Sequence, residues 1–504
     1  MKINKYNKLW VFAFCISITI ISSCQKALDI NTNPNQAPTA TPALVLPASQ
    51  VGMAITIGTW NYIGSIWGQY WTGGQGVSTD NLEKYNMTGT DVETSWNQAY
   101  SKSLSDMDYL IRSGQPVYAG MGKIMSAYLY QMLTDLFGPV PFSEALKGAP
   151  EDGSILAPKF DKSEDIYKSL ITMINEGIID VQASGDLIQS PGSEDLIYGG
   201  NINKWIAFAN TLKLKIYLRQ VATNPQLLDS AYALINSGAS FIDASSNAKV
   251  DFTESARNAN PLYTRFVSSG LDMYFLAAAA SVDTLKNFFA GSIPDPRLGS
   301  LYTTATAGAN SGNYIGVRSG QVNIDPEYKL NAGETAPDGR KRFSNVGSAV
   351  YNYNIPIYFV SAWESKFLQA EVLIRKSADA TTLFNEGVQE SFDVLGAADG
   401  PSTIALLAFN NADPIDAQLN KLAIQKWISM NGLQMIEGWL ETVRFDRPGN
   451  QIFTGVGGVF TDPSQNTLGT RKYPTSFVYP TQEVANNPNT PAGRVVTDKR
   501  FWDL

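Results

Sequence analysis

PVYAGMGKIMSAYLYQMLTDLFGPVPF, residues 116–142, is the stretch whose reading decides the fold. Met121, Ile124, Met125, Tyr128, Leu129, Met132, Leu133 and Leu136 recur at three and four residues. That spacing puts them on one face of a helix. Gly138-Pro139 comes next as a stop, because glycine tolerates the backbone turn that ends a helix and proline cannot continue it. Upstream, Asp91 to Arg112 has the same period, with Trp96, Tyr100, Leu104, Met107 and Ile111 on a shared face. Only Ser113 to Pro116 connects the two, and short links favour antiparallel neighbours.

Working outward, the same unit recurs. Ser163 can cap a helix containing Ile166, Leu170, Met173, Ile174 and Ile178. Residues 203–221 and 225–237 form a pair, as do 361–375 with 381–395, and 419–430 with 435–445. The predicted fold is mainly α: a tetratricopeptide-like scaffold of about four helix-turn-helix units. Residues 239–360 are rich in Gly, Ser, Asn and Tyr and show little helical period beyond 271–289. They read, with 447–504, as an irregular, loop-rich ligand-binding lobe. The helical scaffold then occupies mainly 48–238 and 361–446.

The N-terminal region has a different character. Lys2, Lys5 and Lys8 precede an apolar run from Leu9 to Ile21, a signal-peptide pattern too short for a stable membrane span. Ile21-Ser22-Ser23-Cys24 resembles the bacterial lipobox, so residues 1–23 are expected to be removed and Cys24 to carry lipid. Two or three acyl chains anchor firmly, each buried methylene adding about 0.8 kcal/mol. Residues 24–47, rich in Asn, Thr, Pro and Ala, read as an extended tether.

Composition narrows function. A net charge of −8 argues against nucleic acid, whose phosphates need a basic surface. With no histidine, Ser-His-Asp and Cys-His catalysis and His-ligated zinc are excluded. Of the two cysteines, Cys15 leaves with the signal peptide and Cys24 takes lipid, so no disulfide is expected. No cofactor is called for, although a structural calcium held by loop carbonyls is compatible with the sequence. A carboxylate-pair glycoside hydrolase needs only two acids. Glu364 and Glu371 lie about 10 Å apart in helical rise, against roughly 5 Å for a retaining pair. They read as packing residues, and Arg444 and Arg447 as helix-end or ion-pairing residues.

Several motifs resemble the SusD/RagB-like nutrient-binding outer-membrane lipoproteins, closest to the SusD-like subgroup. They are LDINTNPN at 28–35, SAYLYQMLTDLFGPVPF at 126–142, NPLY at 260–263, DPRL at 295–298, ESKFLQAEVLIR at 364–375, the Trp- and Arg-bearing stretch 431–448, and RKYP at 471–474 followed by Glu483 and Asn487. The resemblance implies a cell-surface, lipid-anchored binding protein and no enzymatic activity. It implies capture of an oligosaccharide, or in some relatives a peptide, and delivery to a SusC-like TonB-dependent outer-membrane barrel. It also implies ligand contacts from the loops after the first helix and from the irregular lobe. Trp60, Trp67 and Trp71 fall near helical spacing and read first as core. Tyr70, Trp71, Asn81 and Tyr85 are the candidates near the Gly-rich stretch 73–76, with Tyr263, Tyr274, Tyr302 and Tyr314 from the lobe. Aromatic faces suit the apolar faces of sugar rings, and they suit helix packing equally well.

Overall fold

The computed structural model describes residues 40–73, 80–254, 258–267, 275–321 and 339–504. Residues 1–39, with the expected signal peptide, Cys24 and most of the expected tether, lie outside them.

Helix α1 spans Pro42–Trp67 and so begins inside the stretch expected to be tether. Thr41 is extended and Pro42 occupies the first turn, where a missing N–H costs nothing. Among the described residues, α1 is the one helix long and apolar enough to cross a bilayer, but most of it is buried within the body. Next come α2 (Gly89–Gln98), a π-helical segment (Ala99–Leu104) and α3 (Ser105–Arg112). The Thr88 N–H donates to Asp91 at 2.7 Å and fixes the start of α2. The π segment rotates α3 relative to α2. Leu110, rather than Ile111, is fully buried beside Met107, which corrects the single-face reading of 91–112.

Helix α4 (Pro116–Phe137) is buried on nearly every side, not along one stripe. It ends at Gly138, whose φ of +81° favours glycine. The scaffold continues through α5 (Ser163–Val181), α6 (Ile202–Arg219) and α7 (Leu227–Asn236). The lobe contributes α8 (Pro261–Val267) and α9 (Ala279–Lys286). The later pairs are α10 (Ala362–Arg375) with α11 (Thr381–Leu395), and α12 (Ile415–Met430) with α13 (Met435–Phe445). A last short helix, α14, spans Thr481–Asn486. Successive helices pack as α3 on α4, α4 on α5, α6 on α7, α10 on α11 and α12 on α13. This is the expected tetratricopeptide-like scaffold. α10 also touches α6 and α7, and α13 lies along α1, so the early and late pairs share one core.

Three two-stranded antiparallel sheets complete the described body: β1 (Trp71–Gly73) with β5 (Phe275–Ala277), β2 (Val140–Pro141) with β3 (Phe160–Asp161), and β4 (Ala248–Val250) with β6 (Ile357–Val360). The helical period expected over 271–289 is replaced, where described, by β5 and then α9. Pairing with Trp71–Gly73 overrides local propensity there. The C-terminal tail has little regular structure yet is not peripheral. Phe477 packs edge-on to Trp67 and parallel to Trp439, and Trp502 is buried.

Close helix approach depends on small residues. A Cβ on Gly64 of α1 would stand 2.4 Å from backbone atoms of Ile436 at the start of α13. Backbone cannot yield as a flexible side chain can. Gly64→Ala is therefore expected to destabilise the fold by about 1–3 kcal/mol, read as a melting temperature several degrees below wild type. An unchanged melting curve would contradict this close packing.

Candidate functional site

A binding or catalytic site needs groups with unsatisfied bonding capacity, and the charged residues of the scaffold have little. Lys215 of α6 pairs with Glu364 of α10 at 3.1 Å and with Glu437 of α13 at 2.8 Å. Arg219 pairs with Asp135 of α4 at 3.0 Å and with Glu437 and Glu441. Arg444 grips Glu371 through two bonds of 2.7 and 2.6 Å and also pairs with Glu441, which Lys426 of α12 reaches at 2.9 Å. Arg375 closes on Glu371 at 2.8 Å. All but the partly exposed Arg375 are buried. Burial alone would raise the Glu371 carboxyl, but Arg444 and Arg375 outweigh it and pull the group down to about 2. Glu437 and Glu441 are lowered in the same way. Hydrolysis needs a carboxylic acid kept protonated beside its substrate. Glu364 and Glu371 are both enclosed and already partnered, by Lys215 and Gln434 and by Arg444 and Arg375, so they are packing groups, as their spacing indicates. Arg444 is the ion-pairing residue expected, and Arg447 pairs with Asp416 at 2.9 Å.

Four of the eight sequence-chosen ligand residues are corrected by their burial. Tyr70, Trp71, Tyr85 and Tyr302 are at most 1% exposed. Tyr70 stacks on Trp427 at 5.1 Å and donates its hydroxyl to the Trp427 carbonyl at 3.0 Å. Tyr302 donates to the Tyr70 carbonyl at 2.8 Å and accepts from Asn431. Tyr85 accepts from Gln69 and packs on Tyr473. Burial pushes the phenols of Tyr70, Tyr85 and Tyr302 well up. With both faces filled by protein, none of these rings can stack on a ligand.

Trp71 has another use. Its ring backs Tyr351 at 5.6 Å, edge to face, and Phe275 at 5.3 Å. Tyr351 in turn meets Tyr263 at 5.2 Å, and Tyr263 meets Tyr353 at 6.3 Å. Burial decreases along this series, from sealed Trp71 to half-buried Tyr263, Tyr351 and Tyr353. Asn352 is half-buried and Asn354 exposed beside them. Asn260 holds the arrangement together. Its backbone N–H donates to the Tyr353 carbonyl at 2.7 Å and its side-chain amide to the Ile355 carbonyl at 2.7 Å. Its side-chain oxygen accepts from Leu262 and Tyr263 at the start of α8. The Tyr353 hydroxyl bonds to Glu254, whose negative charge raises the phenol. Rigid half-exposed rings beside side-chain amides make a surface that can stack on a flat apolar face and bridge hydroxyls.

A family model described as "Starch-binding associating with outer membrane", of SusD-like type, matches residues 34–480. The chain belongs to the SusD-like family. Solved structures of SusD-like proteins share the fold across nearly their whole length. A chitin-binding protein is 25% identical with a TM-score of 0.72, covering 92% of this chain and 100% of that one. A chitin-binding SusD homologue from Flavobacterium johnsoniae is 19% identical with a TM-score of 0.69, covering 91% and 98%. A SusD/RagB family protein from Bacteroides thetaiotaomicron is 20% identical with a TM-score of 0.71, covering 92% and 99%. No curated protein sequence matches significantly.

In this SusD-like chain, the structure places Tyr263 in the tyrosine cluster. Asn81 is exposed on a separate short helical turn, and Tyr314 is half-buried against the core elsewhere. Tyr274 and Cys24 lie outside the described residues. Sequence reasoning missed Tyr351, Asn352, Tyr353 and Asn354. The alternating Tyr-Asn run immediately before β6 was the available signal.

The ion network also sets an acid limit. Unfolded glutamates titrate near 4.3, above the folded values of Glu371, Glu437 and Glu441. Their stabilisation is complete above about pH 4.3 and is withdrawn as pH falls below it, for Glu371 as pH approaches about 2. Asp135, raised by burial, opposes this in part. The melting temperature should fall steeply as pH drops from about 4.3 toward 2. Glu371→Gln should cost about 3 kcal/mol at pH 7 and flatten that slope. A variant that melts with the wild-type pH dependence would remove Glu371 from the explanation.

Proposed function

We propose that this protein is a non-enzymatic, lipid-anchored outer-membrane protein that captures oligosaccharides on the Tyr263–Tyr351–Tyr353 face. It delivers them to a SusC-like TonB-dependent barrel. The single observation that carries the reading is the half-exposed tyrosine cluster, backed by Trp71 and flanked by Asn352 and Asn354. The family description and the two chitin-binding relatives support a carbohydrate as ligand. The anchor is Cys24 of the lipobox-like stretch. Asn81 and Tyr314 remain further contacts in this proposal. Each stacked ring contributes on the order of 1 kcal/mol. Binding to the isolated protein is therefore weak, and enclosure by the barrel raises the effective affinity.

Calorimetric titration with starch- and chitin-derived oligosaccharides tests the ligand. Tyr353→Ala and Tyr263→Ala should each weaken binding about fivefold and leave the melting temperature within a degree or two. Tyr70→Ala should instead lower stability by about 3 kcal/mol or more. Oligosaccharide binding that survives loss of both Tyr263 and Tyr353 unchanged would move the site elsewhere. For the anchor, Cys24→Ser should shift the protein from the membrane to the soluble fraction.

A further inference from the structure

A second concavity lies away from the tyrosine cluster. It is a groove of about 480 Å³, within the range of small-molecule clefts. One wall is the π-helical segment and its flanks, which carry Trp96, Asn97, Tyr100, Ser101 and Ser105. Glu483 and Asn486 of α14 face it, and Leu146 and Leu156 form an apolar rim.

Three features mark this groove as built for a ligand. Trp96 is 96% buried, wedged against Tyr100 and Phe137 at 4.9 Å each. It lines the groove, and among the described residues its indole N–H donates to no protein group and is not sealed from solvent. A donor left open in this way is available to an acceptor on a ligand. Secondly, Asn97, Ser101 and Ser105 are all exposed and recur every four residues through the π segment. Such π segments are frequent at functional sites. The Tyr100 hydroxyl is meanwhile tied to the Pro141 carbonyl at 2.8 Å, which fixes the ring at the groove wall. Thirdly, Leu146 and Leu156 give the groove an aliphatic C–H face opposite these polar groups.

The chemistry is that of groups able both to donate and to accept, set opposite aliphatic carbon. No lysine or arginine lines the groove, and Glu483, its one carboxylate, already accepts from Asn487 at 2.9 Å. A neutral ligand with a hydroxyl-bearing edge and a C–H face matches this lining. An anion finds no cation, and a peptide's terminal carboxylate finds none either. We infer that the groove between the π segment and α14 is a second site for a short neutral oligosaccharide, with the Trp96 N–H as a donor to a ligand oxygen. The class of ligand rests on the reading of the protein as an oligosaccharide binder, whereas the location does not.

The test tracks indole N–H resonances by 15N NMR in the full mature chain, with Trp96 assigned through Trp96→Phe. Should that variant fail to fold, assignment comes from the loss of shift in Asn97→Ala, an exposed change. The probes are chitotriose, maltotriose and, as control, trialanine. In a Tyr353→Ala background, where the first surface is weakened, the Trp96 signal should still shift saturably with at least one trisaccharide. Asn97→Ala combined with Asn486→Ala should weaken that response at least tenfold while the Tyr353 surface, tested in otherwise wild-type protein, binds as before. A trisaccharide that binds the wild type without moving the Trp96 signal would overturn the second site and leave the first intact. An equal response to trialanine would overturn the ligand class. No binding of either trisaccharide anywhere would remove both readings together.

Discussion

The buried ion network between α4, α6, α10, α12 and α13 is the constraint on which the rest of the structure depends. Removing so many charges from water costs several kcal/mol per ion, recovered only where geometry pairs every one. Five helices must therefore meet in a single relative register. Asp135 shows how far this reaches. It pairs with Arg219 at 3.0 Å and also accepts from Tyr167 and from Trp502 at 2.8 Å. The Asp135 carbonyl accepts from Arg500. One side chain thus fixes α4, α5, α6 and the C-terminal tail. A second sealed pair, Asp295 with Arg297 at 2.7 Å, does the same for the lobe: Arg297 also donates to Gln425 of α12 at 2.7 Å. A scaffold without disulfides gains its uniqueness of packing in this way.

That rigidity is what makes a recognition surface possible. The aromatic series begins at Trp71, pinned by β1–β5 pairing, and ends at Tyr263 and Tyr353 half in solvent. Rings held by their neighbours lose little further freedom on binding. The core thereby places flat faces at the surface already oriented. Asn260 links the two parts of the lobe that carry them, with every polar group of its side chain bonded to backbone.

Local sequence decides a great deal here. The helices at 116–137, 381–395 and 435–445 begin and end close to where periodicity, proline and glycine place them, because those signals act within one or two turns. The motif Glu364–Arg375 is legible as packing because its acids are too far apart to act together. The tether boundary is not legible: Pro42 reads equally as linker or as a first helical residue. Nor is the π segment, whose single extra residue exchanges Ile111 for Leu110 on the buried face. The run at 275–280 reads as helix until Trp71–Gly73 arrives to pair with its first half.

The composition and spacing of this chain determine a helix-paired, histidine-free body and limit its chemistry. Exposure of its aromatics is decided only in three dimensions. Tyr70 is sealed by Trp427, 357 residues away, and Tyr85 packs on Tyr473. Tyr353, similar in type and local setting, meets no such cover and keeps part of its ring in solvent. Periodicity reports which residues share a face of one element. The neighbour that comes to lie on that face is set by long-range packing, and that packing separates a core tyrosine from one free to meet a ligand.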